Sequence, residues 1–401
     1  MSTTTSPAEP TAAVGEMDVV LTPEQEAFRQ EVRAFAAEAV TPELLRRTGG
    51  AIEAFVPEFH RAVADHGWIG VQWPREYGGQ GRTPVDMAVF FEEMGRALAP
   101  LGRYVGSTVF VGGSIISYGR PDQRAEFLGR IAAGDLLGSF ALTEPEAGSD
   151  AAALRTTAVR DGDHYVVDGE KVFISGAELA DCILTAVRTD PAAGKYAGIS
   201  LLLVPGDAPG LSVRPLHTVA GLRVNVVVYD GVRVPADRLL GTEGNGWAHL
   251  QTTFGLERSL SSAQLVGSLF RLYRDLHVAA TAEVHAGRLE PARLADLHDC
   301  RAELEAARLL SYRACWLDQN GAMTLDEAAV CKLTRSELAL RLATVGLDLL
   351  GEVGLVAGPD GVLGGRLEAL YRRAQFYITA GGTNDIQRGL LAQRGLGLPR
   401  R

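Results

Sequence analysis

Apolar residues recur every three or four positions at both ends of the chain and fall into short runs through its middle. The first helical pattern opens after Leu21: Thr22 can cap it, Pro23 suits its first position, Gln25 completes a capping box, and Phe28, Val32 and Phe35 share one face. Further helices are predicted around Val56 to Asp65, Pro84 to Leu98 and Pro121 to Ala133, with Gly- and Pro-containing turns such as Pro74 to Gly81 between them. Three Asp-Gly pairs, Asp161-Gly162, Asp168-Gly169 and Asp230-Gly231, then punctuate runs rich in Val, Ile, Leu and Tyr. The runs are His164 to Val167, Lys171 to Ser175, Cys182 to Arg188, Ile199 to Val204 and Asn225 to Tyr229. Their succession without intervening helices predicts an antiparallel sandwich or barrel and not βαβ units. From Gly246 the helical period returns, and Leu294, Leu297, Cys300, Leu304, Ala307 and Leu310 keep the spacing of one buried stripe. The fold class is therefore α+β, with an all-α domain over 18–138, a β domain over 139–245 and a helical bundle over 246–401. Residues 1–17, rich in Ser, Thr, Ala and Pro and lacking Arg and Lys, are expected to form a disordered tail with the features of neither a secretory signal nor a transit peptide.

A chain of 401 residues that is 46% hydrophobic can bury several cores, which excludes disorder as a whole-chain reading. The formal net charge of -10 argues against nucleic acid as the main partner, since phosphate binding needs clustered cations. Four widely spaced cysteines, Cys182, Cys300, Cys315 and Cys331, form no C-x-x-C group, which suits a reduced cytoplasmic chain. No apolar run approaches the roughly 20 residues of a membrane span. Lysine stands at three positions only, Lys171, Lys195 and Lys332, against abundant arginine.

The histidines show no short metal-ligand spacing, and neither a Walker loop nor a G-x-G-x-x-G opening a helix is present, so no metal is expected. At the first α-to-β boundary stands the polar, Gly-containing string Phe140-Ala-Leu-Thr-Glu-Pro-Glu-Ala-Gly-Ser149-Asp150. On residue types alone it suits a domain linker as well as a ligand-binding loop. The whole string from Thr143 to Asp150, however, closely resembles the signature of the acyl-CoA dehydrogenase family. Lys171-Val-Phe-Ile-Ser-Gly176 resembles the family's second signature, with Phe and Ser where Trp and Thr are usual. Val232 to Pro235 with Gly241 to Gly246, Gly382-Thr-Asn-Asp-Ile-Gln-Arg388 and, near the N-terminus, Trp73 to Gly79 extend the likeness over nearly the whole chain after the tail.

The resemblance implies a middle antiparallel β-barrel, a four-helix-bundle-like C-terminal domain, FAD as cofactor and α,β-dehydrogenation of an acyl-CoA to the trans-2-enoyl thioester. Removing a thioester α-proton needs a carboxylate, donors to the carbonyl and a flavin that accepts the β-hydride. In most of the family that carboxylate directly precedes the C-terminal Gly-Thr; Gly381 stands there in this chain. A minority places it on the first long helix after the barrel, where Phe254-Gly-Leu-Glu-Arg-Ser259 puts Glu257. Glu257 is thus expected to be the base, with the Gly381 N–H a donor to the carbonyl. By the same likeness Phe140, Leu142 and Thr143 would border the flavin ring, Gly148 and Ser149 its phosphate side, Phe173 and Ser175 its reactive face, and Thr383 and Asp385 its far end. Asp348 and Gly351 would meet the adenine half of a neighbouring subunit's FAD, and Ser149, Phe254 and Arg258 the substrate.

The family's Arg and Phe-Gly that reach FAD across a subunit interface have no counterpart in Arg274 to Pro291. A heteromer with a related subunit is therefore as compatible as a homodimer or homotetramer. An electron-transferring flavoprotein is the expected acceptor. Two alternatives stay open: an oxygen-using acyl-CoA oxidase or flavin monooxygenase, and a catalytically weak partner subunit of a heteromeric dehydrogenase.

Overall fold

The computed structural model describes Met17 and residues 20–399, apart from the side chains at positions 252, 256, 258 and 259. The expected N-terminal tail lies, Met17 excepted, outside the described residues. Among the described residues six α-helices come first: α1 (Pro23–Ala39), α2 (Pro42–Thr48), α3 (Pro57–Asp65), α4 (Pro84–Ala97), α5 (Gly113–Tyr118) and α6 (Pro121–Ala132). The capping box predicted for α1 is formed, with the Thr22 hydroxyl accepting from Gln25 N and the Gln25 side chain accepting from Thr22 N. Thr83 and Asp86 cap α4 in the same way. This helix is buried from Val85 to Gly95, its Glu92 and Glu93 included. Those carboxylates are tolerated because Arg96 and Arg33 reach them at 2.7 and 2.9 Å. Between α4 and α5, Val105–Gly112 winds as a π-helix, a form with no signature in the hydrophobic pattern.

Eight strands follow: β1 (Gly138–Ala141), β2 (Thr157–Asp161), β3 (His164–Ile174), β4 (Cys182–Arg188), β5 (Ile199–Pro205), β6 (Leu211–His217), β7 (Arg223–Pro235) and β8 (Leu239–Leu240). Their order is β6-β7-β3-β2-β4-β5-β8, with β1 added against β4. The sheet curls until strands three apart in this order touch: Thr185 on β4 and Tyr229 on β7 share a buried hydrogen bond of 2.9 Å. Two pairings depart from the expected antiparallel pattern, since β1 and β2 each run parallel to β4. The chain enters the sheet along β1 and then forms the β2–β3 hairpin, so β4 receives both from the same direction.

Two of the three Asp-Gly pairs are not the turns they were expected to be. Asp161-Gly162 does close the β2–β3 hairpin, with Gly162 at φ 59°. Asp168-Gly169 and Asp230-Gly231 instead lie inside β3 and β7, at the register shift between Val167 and Gly169 where the two strands pair. The Asp168 carboxylate accepts from Gly231 N at 2.8 Å, so the first pair fastens the second across the bulge.

The C-terminal part contains α7 (Gly246–His285), α8 (Ala295–Gln319), α9 (Leu325–Leu350), α10 (Arg366–Thr379) and α11 (Asn384–Leu390). At 40 residues, α7 runs about 60 Å; α8 and α9 pack along it, and α10 and α11 pack on α9. Gly95 of α4 lies against its Gln264 carbonyl so closely that a Cβ would stand 2.1 Å from that oxygen, and Gly267 meets the Glu92 carbonyl at 2.3 Å in the same sense. Two glycines thus let the helical layers cross backbone to backbone. The expected stripe of α8 is buried at Leu297, Cys300, Leu304 and Ala307. Leu310 is half-buried, and Leu294 belongs to the 3₁₀ turn before the helix.

Candidate active site

The first wall of the site is the loop after β1. Glu144 within it is 6% exposed and faces Lys171 of β3, which is fully buried, with Nζ to Oε1 at 2.8 Å. Glu144 also accepts from the backbone N–H groups of Arg155 (2.6 Å) and Thr156 (2.8 Å), while Lys171 donates to the Leu142 carbonyl at 3.0 Å. Burial pushes the Lys171 ammonium down to about 8, against the pull of Glu144. Burial would raise Glu144, but Lys171 and the backbone donors hold it below the ordinary carboxylate range. Val172 N adds a bond to the Thr143 carbonyl at 2.8 Å. The loop from Leu142 to Arg155 is thereby fastened to the strand that carries Phe173 and Ser175.

At a second register shift of β3, between Lys171 and Ile174, Phe173 adopts φ 62°. A left-handed aromatic residue is strained. Here the bulge turns its ring outward, 59% exposed. Ser175 beside it is exposed, and its carbonyl accepts from the buried Ser139 Oγ at 2.8 Å. Gly148 and Ser149 are exposed at the outer end of the loop, with open space where a Gly148 side chain would stand. A strained, outward aromatic ring, a hydroxyl beside it and a Gly-containing loop of exposed backbone suit a flat heteroaromatic ring with a polyanionic tail.

The second wall is α7. Phe254 approaches Phe140 edge-on at 6.2 Å between centroids, and Phe140 stacks on Phe110 of the π-helix at 4.5 Å. Glu257 follows one turn later, half-buried, with Oε1 accepting from Ser261 Oγ at 2.8 Å. Burial lowers the Arg335 guanidinium from its ordinary value, and the nearby Glu257 charge opposes that.

The third wall is the turn from α10 to α11. Gly381 and Gly382 are both left-handed, at φ 68° and 85°. A side chain begun at Gly381 would place its Cβ 3.8 Å from Glu257 Oε2. The two positions that the family resemblance offers for the carboxylate therefore converge on one place. Thr383 caps α11 by accepting from Ile386 N at 3.3 Å, and Asp385 is exposed beside it.

The loop at Leu142 and Thr143 is thus tied to β3 beside Phe173, Phe140 meets Phe254 of α7, and Glu257 on the same helix faces Gly381. Asp348 and Gly351, at the far end of α9, are exposed about 18 Å along that helix from Ser336, which contacts the turn. The side chain of Arg258 lies outside the described residues. Sequence reasoning assigned no role to Glu144, Lys171, Ser261, Arg335, Lys332 or Gln387. The one signal that could have found two of them is the scarcity of lysine, since Lys171 and Lys332 are fully buried. A cavity of about 520 Å³ elsewhere, between α1, α4, α7 and α8, contains none of these residues. Among the described residues there is no cluster suited to a metal ion, and no helix is long and apolar enough to cross a membrane.

Three family models match in succession: acyl-CoA dehydrogenase N-terminal domain over residues 22–135, middle domain over 139–251 and C-terminal domain over 244–396. The chain is 35% identical to a Mycobacterium tuberculosis protein named acyl-CoA dehydrogenase FadE26, over 96% of this chain and 99% of that one. Among solved structures, one described as a Tcur3481-Tcur3483 steroid ACAD superposes with a TM-score of 0.88 at 35% identity, covering 96% of this chain and all of that one. The ChsE4-ChsE5 complex of Mycobacterium tuberculosis gives 0.86 at 35% identity with the same coverage.

Proposed function

The chain belongs to the acyl-CoA dehydrogenase family, and we propose that it uses Glu257 to take the α-proton of a bulky acyl-CoA. It is an oxidoreductase acting on CH–CH bonds with FAD as cofactor, as family membership entails. When bound, FAD supplies the acceptor for the β-hydride.

Phe173 would offer its ring to the flavin face, Ser175 a hydroxyl to the reactive edge, and Phe140, Leu142 and Thr143 the border of the ring. Gly148 and Ser149 would serve the phosphates, and Thr383 and Asp385 the far end. The Glu144–Lys171 pair keeps the first of these groups in register with the second. Ser261 occupies Glu257 Oε1, which leaves Oε2, the oxygen turned toward Gly381, to receive the proton. The Gly381 N–H would bind the thioester carbonyl, so the α-proton is made more acidic beside the carboxylate that removes it.

The convergence of Glu257 Oε2 and Gly381 at 3.8 Å carries this reading. Anaerobic titration of the FAD-loaded protein with acyl-CoAs of straight, branched and polycyclic acyl groups tests it. Bleaching of the flavin band by polycyclic or branched members is expected; a flavin that no acyl-CoA bleaches refutes the reading. An oxygen pulse after reduction separates acceptors, with slow reoxidation expected for a dehydrogenase that passes electrons to a flavoprotein.

Two observations support a bulky acyl group and a heteromeric assembly. The aromatic series Phe110, Phe140 and Phe254 suits a broad apolar substrate, and two solved relatives are described as a steroid ACAD and as a complex of two different chains. The exposed Asp348 and Gly351 would then face a partner's cofactor. Co-expression with a related chain, followed by counting FAD per assembly, tests this.

A further inference from the structure

We infer that Lys332 and Gln387 are positioning residues for the Gly381–Gly382 turn, holding it at the distance from Glu257 that the reaction requires. The inference rests on the reading of Gly381 and Glu257 given above. A Gly-Gly pair with both residues left-handed is the least self-restrained backbone a chain can present. Its shape must come from what it is bonded to.

Lys332 stands beneath it on α9, fully buried. Its ammonium donates to the Ile378 carbonyl at the end of α10 (2.8 Å) and to Asn384 Oδ1 at the start of α11 (2.6 Å). One cation thereby ties together the two arms of the turn. Ser336, one helical turn on, places its hydroxyl 3.0 Å from the same Asn384 oxygen, and Asn384 Nδ2 donates to Glu337 at 3.2 Å.

Gln387, also fully buried, works from the other side. Its Nε2 donates to the carbonyls of both Gly381 (3.0 Å) and Gly382 (3.2 Å). In a trans peptide the C=O and N–H point in opposite directions. Drawing both carbonyls toward Gln387 therefore turns the N–H groups of Gly382 and Thr383 away from it and fixes the two peptide planes that follow Gly381, while Lys332 holds the Ile378 carbonyl on the side that precedes it. A 1 Å misplacement of a reacting group can slow a reaction by about 10²-fold.

The test uses FAD-loaded protein carrying Gln387→Met, which keeps bulk and removes the donor, Gln387→Glu, which keeps shape and replaces the donor by an acceptor, and Lys332→Met. Amide exchange is read first, without substrate, at Ala380, Ile386 and Gln387, whose N–H groups bond across the edges of the turn. Exchange there is expected to quicken about tenfold, the factor that loss of one hydrogen bond carries, while amides in the middle of α7 are unchanged. Flavin reduction by acyl-CoA is then expected to slow about tenfold or more at saturating substrate, with FAD content and substrate affinity kept.

Unchanged exchange in both Gln387 variants overturns the inference, and so does faster exchange with reduction within twofold of wild type. A Lys332→Met protein that does not fold leaves the decision to the Gln387 pair. Failure of the wild type to react with any acyl-CoA falls on the reading of Glu257, and the exchange result then decides whether these residues hold the turn.

Discussion

If Glu257 and a residue at 381 address one place, a carboxylate should be transferable between them. The perturbation is the double variant Glu257→Ala with Gly381→Glu, compared with Glu257→Ala alone. A general base contributes about 10² to 10⁴-fold, so the single variant is expected to reduce its flavin about 10³-fold more slowly than wild type. In the double variant the new Cβ starts 3.8 Å from the position of Glu257 Oε2, and a glutamate extends about 3.6 Å beyond Cβ, so its carboxylate can reach the vacated position. Two penalties remain. Gly381 has φ 68°, and a residue with a side chain loses about 1 to 2 kcal/mol in that conformation. An imperfect approach leaves a deficit of about 10²-fold. The double variant should therefore recover about tenfold over the single one and unfold at a lower denaturant midpoint than Glu257→Ala. Stopped-flow absorbance of the flavin band under anaerobic conditions measures the rates, and the resting spectrum confirms that FAD is bound. Wild-type rates in Glu257→Ala would refute the base. A double variant no faster than the single one, with flavin bound, would refute the shared position.

Removing one partner of a buried pair is severe, so Lys171→Met should lower stability by about 3 to 5 kcal/mol in urea unfolding and release FAD more readily on gel filtration. Phe173→Gly should leave apoprotein stability unchanged or improved by about 1 kcal/mol, because glycine accepts φ 62°, while FAD affinity from fluorescence titration falls. His60, 6% exposed, is pushed down to about 4 by burial and, secondarily, by Arg61. The unfolded chain takes up a proton near 6.5 and the folded one only near 4, so this residue's contribution is intact above pH 6.5 and lost progressively down to pH 4, by about 3 kcal/mol. His60→Leu should flatten that part of the stability profile measured by urea midpoints; an unchanged slope would refute the assignment.

Much of this architecture was legible because it is written locally. Thr22 and Thr83 cap helices whose apolar stripes follow in sequence, and Asp161-Gly162 closes a hairpin between neighbouring strands. What escaped depends on distant partners. Asp168-Gly169 carries a turn signal, yet it is a bulge because Asp230-Gly231 lies opposite on β7, and nothing near either pair announces the other. β6 was missed because Pro215 interrupts it, which an edge strand paired only with β7 tolerates. In the site, the residues that would meet cofactor or substrate stand in contiguous motifs that a family resemblance can carry. The residues that hold them, Lys171 for Glu144 and Lys332 for Asn384, are joined across 27 and 52 positions and become visible only in three dimensions.

The burial of Lys171 and Lys332 has a practical side. With both enclosed, Lys195 is the one lysine that folded protein presents to solvent, its side chain 47% exposed. Its ammonium meets Asp150, the last residue of the loop proposed to bind the flavin phosphates, at 2.7 Å. An amine-directed fluorophore would attach, beyond the chain's own amino terminus, at a single defined address beside that loop. The native composition thus supplies a reporter position for cofactor loading or partner docking without any engineered cysteine, and a second labelled lysine would itself signal that β3 or α9 had opened.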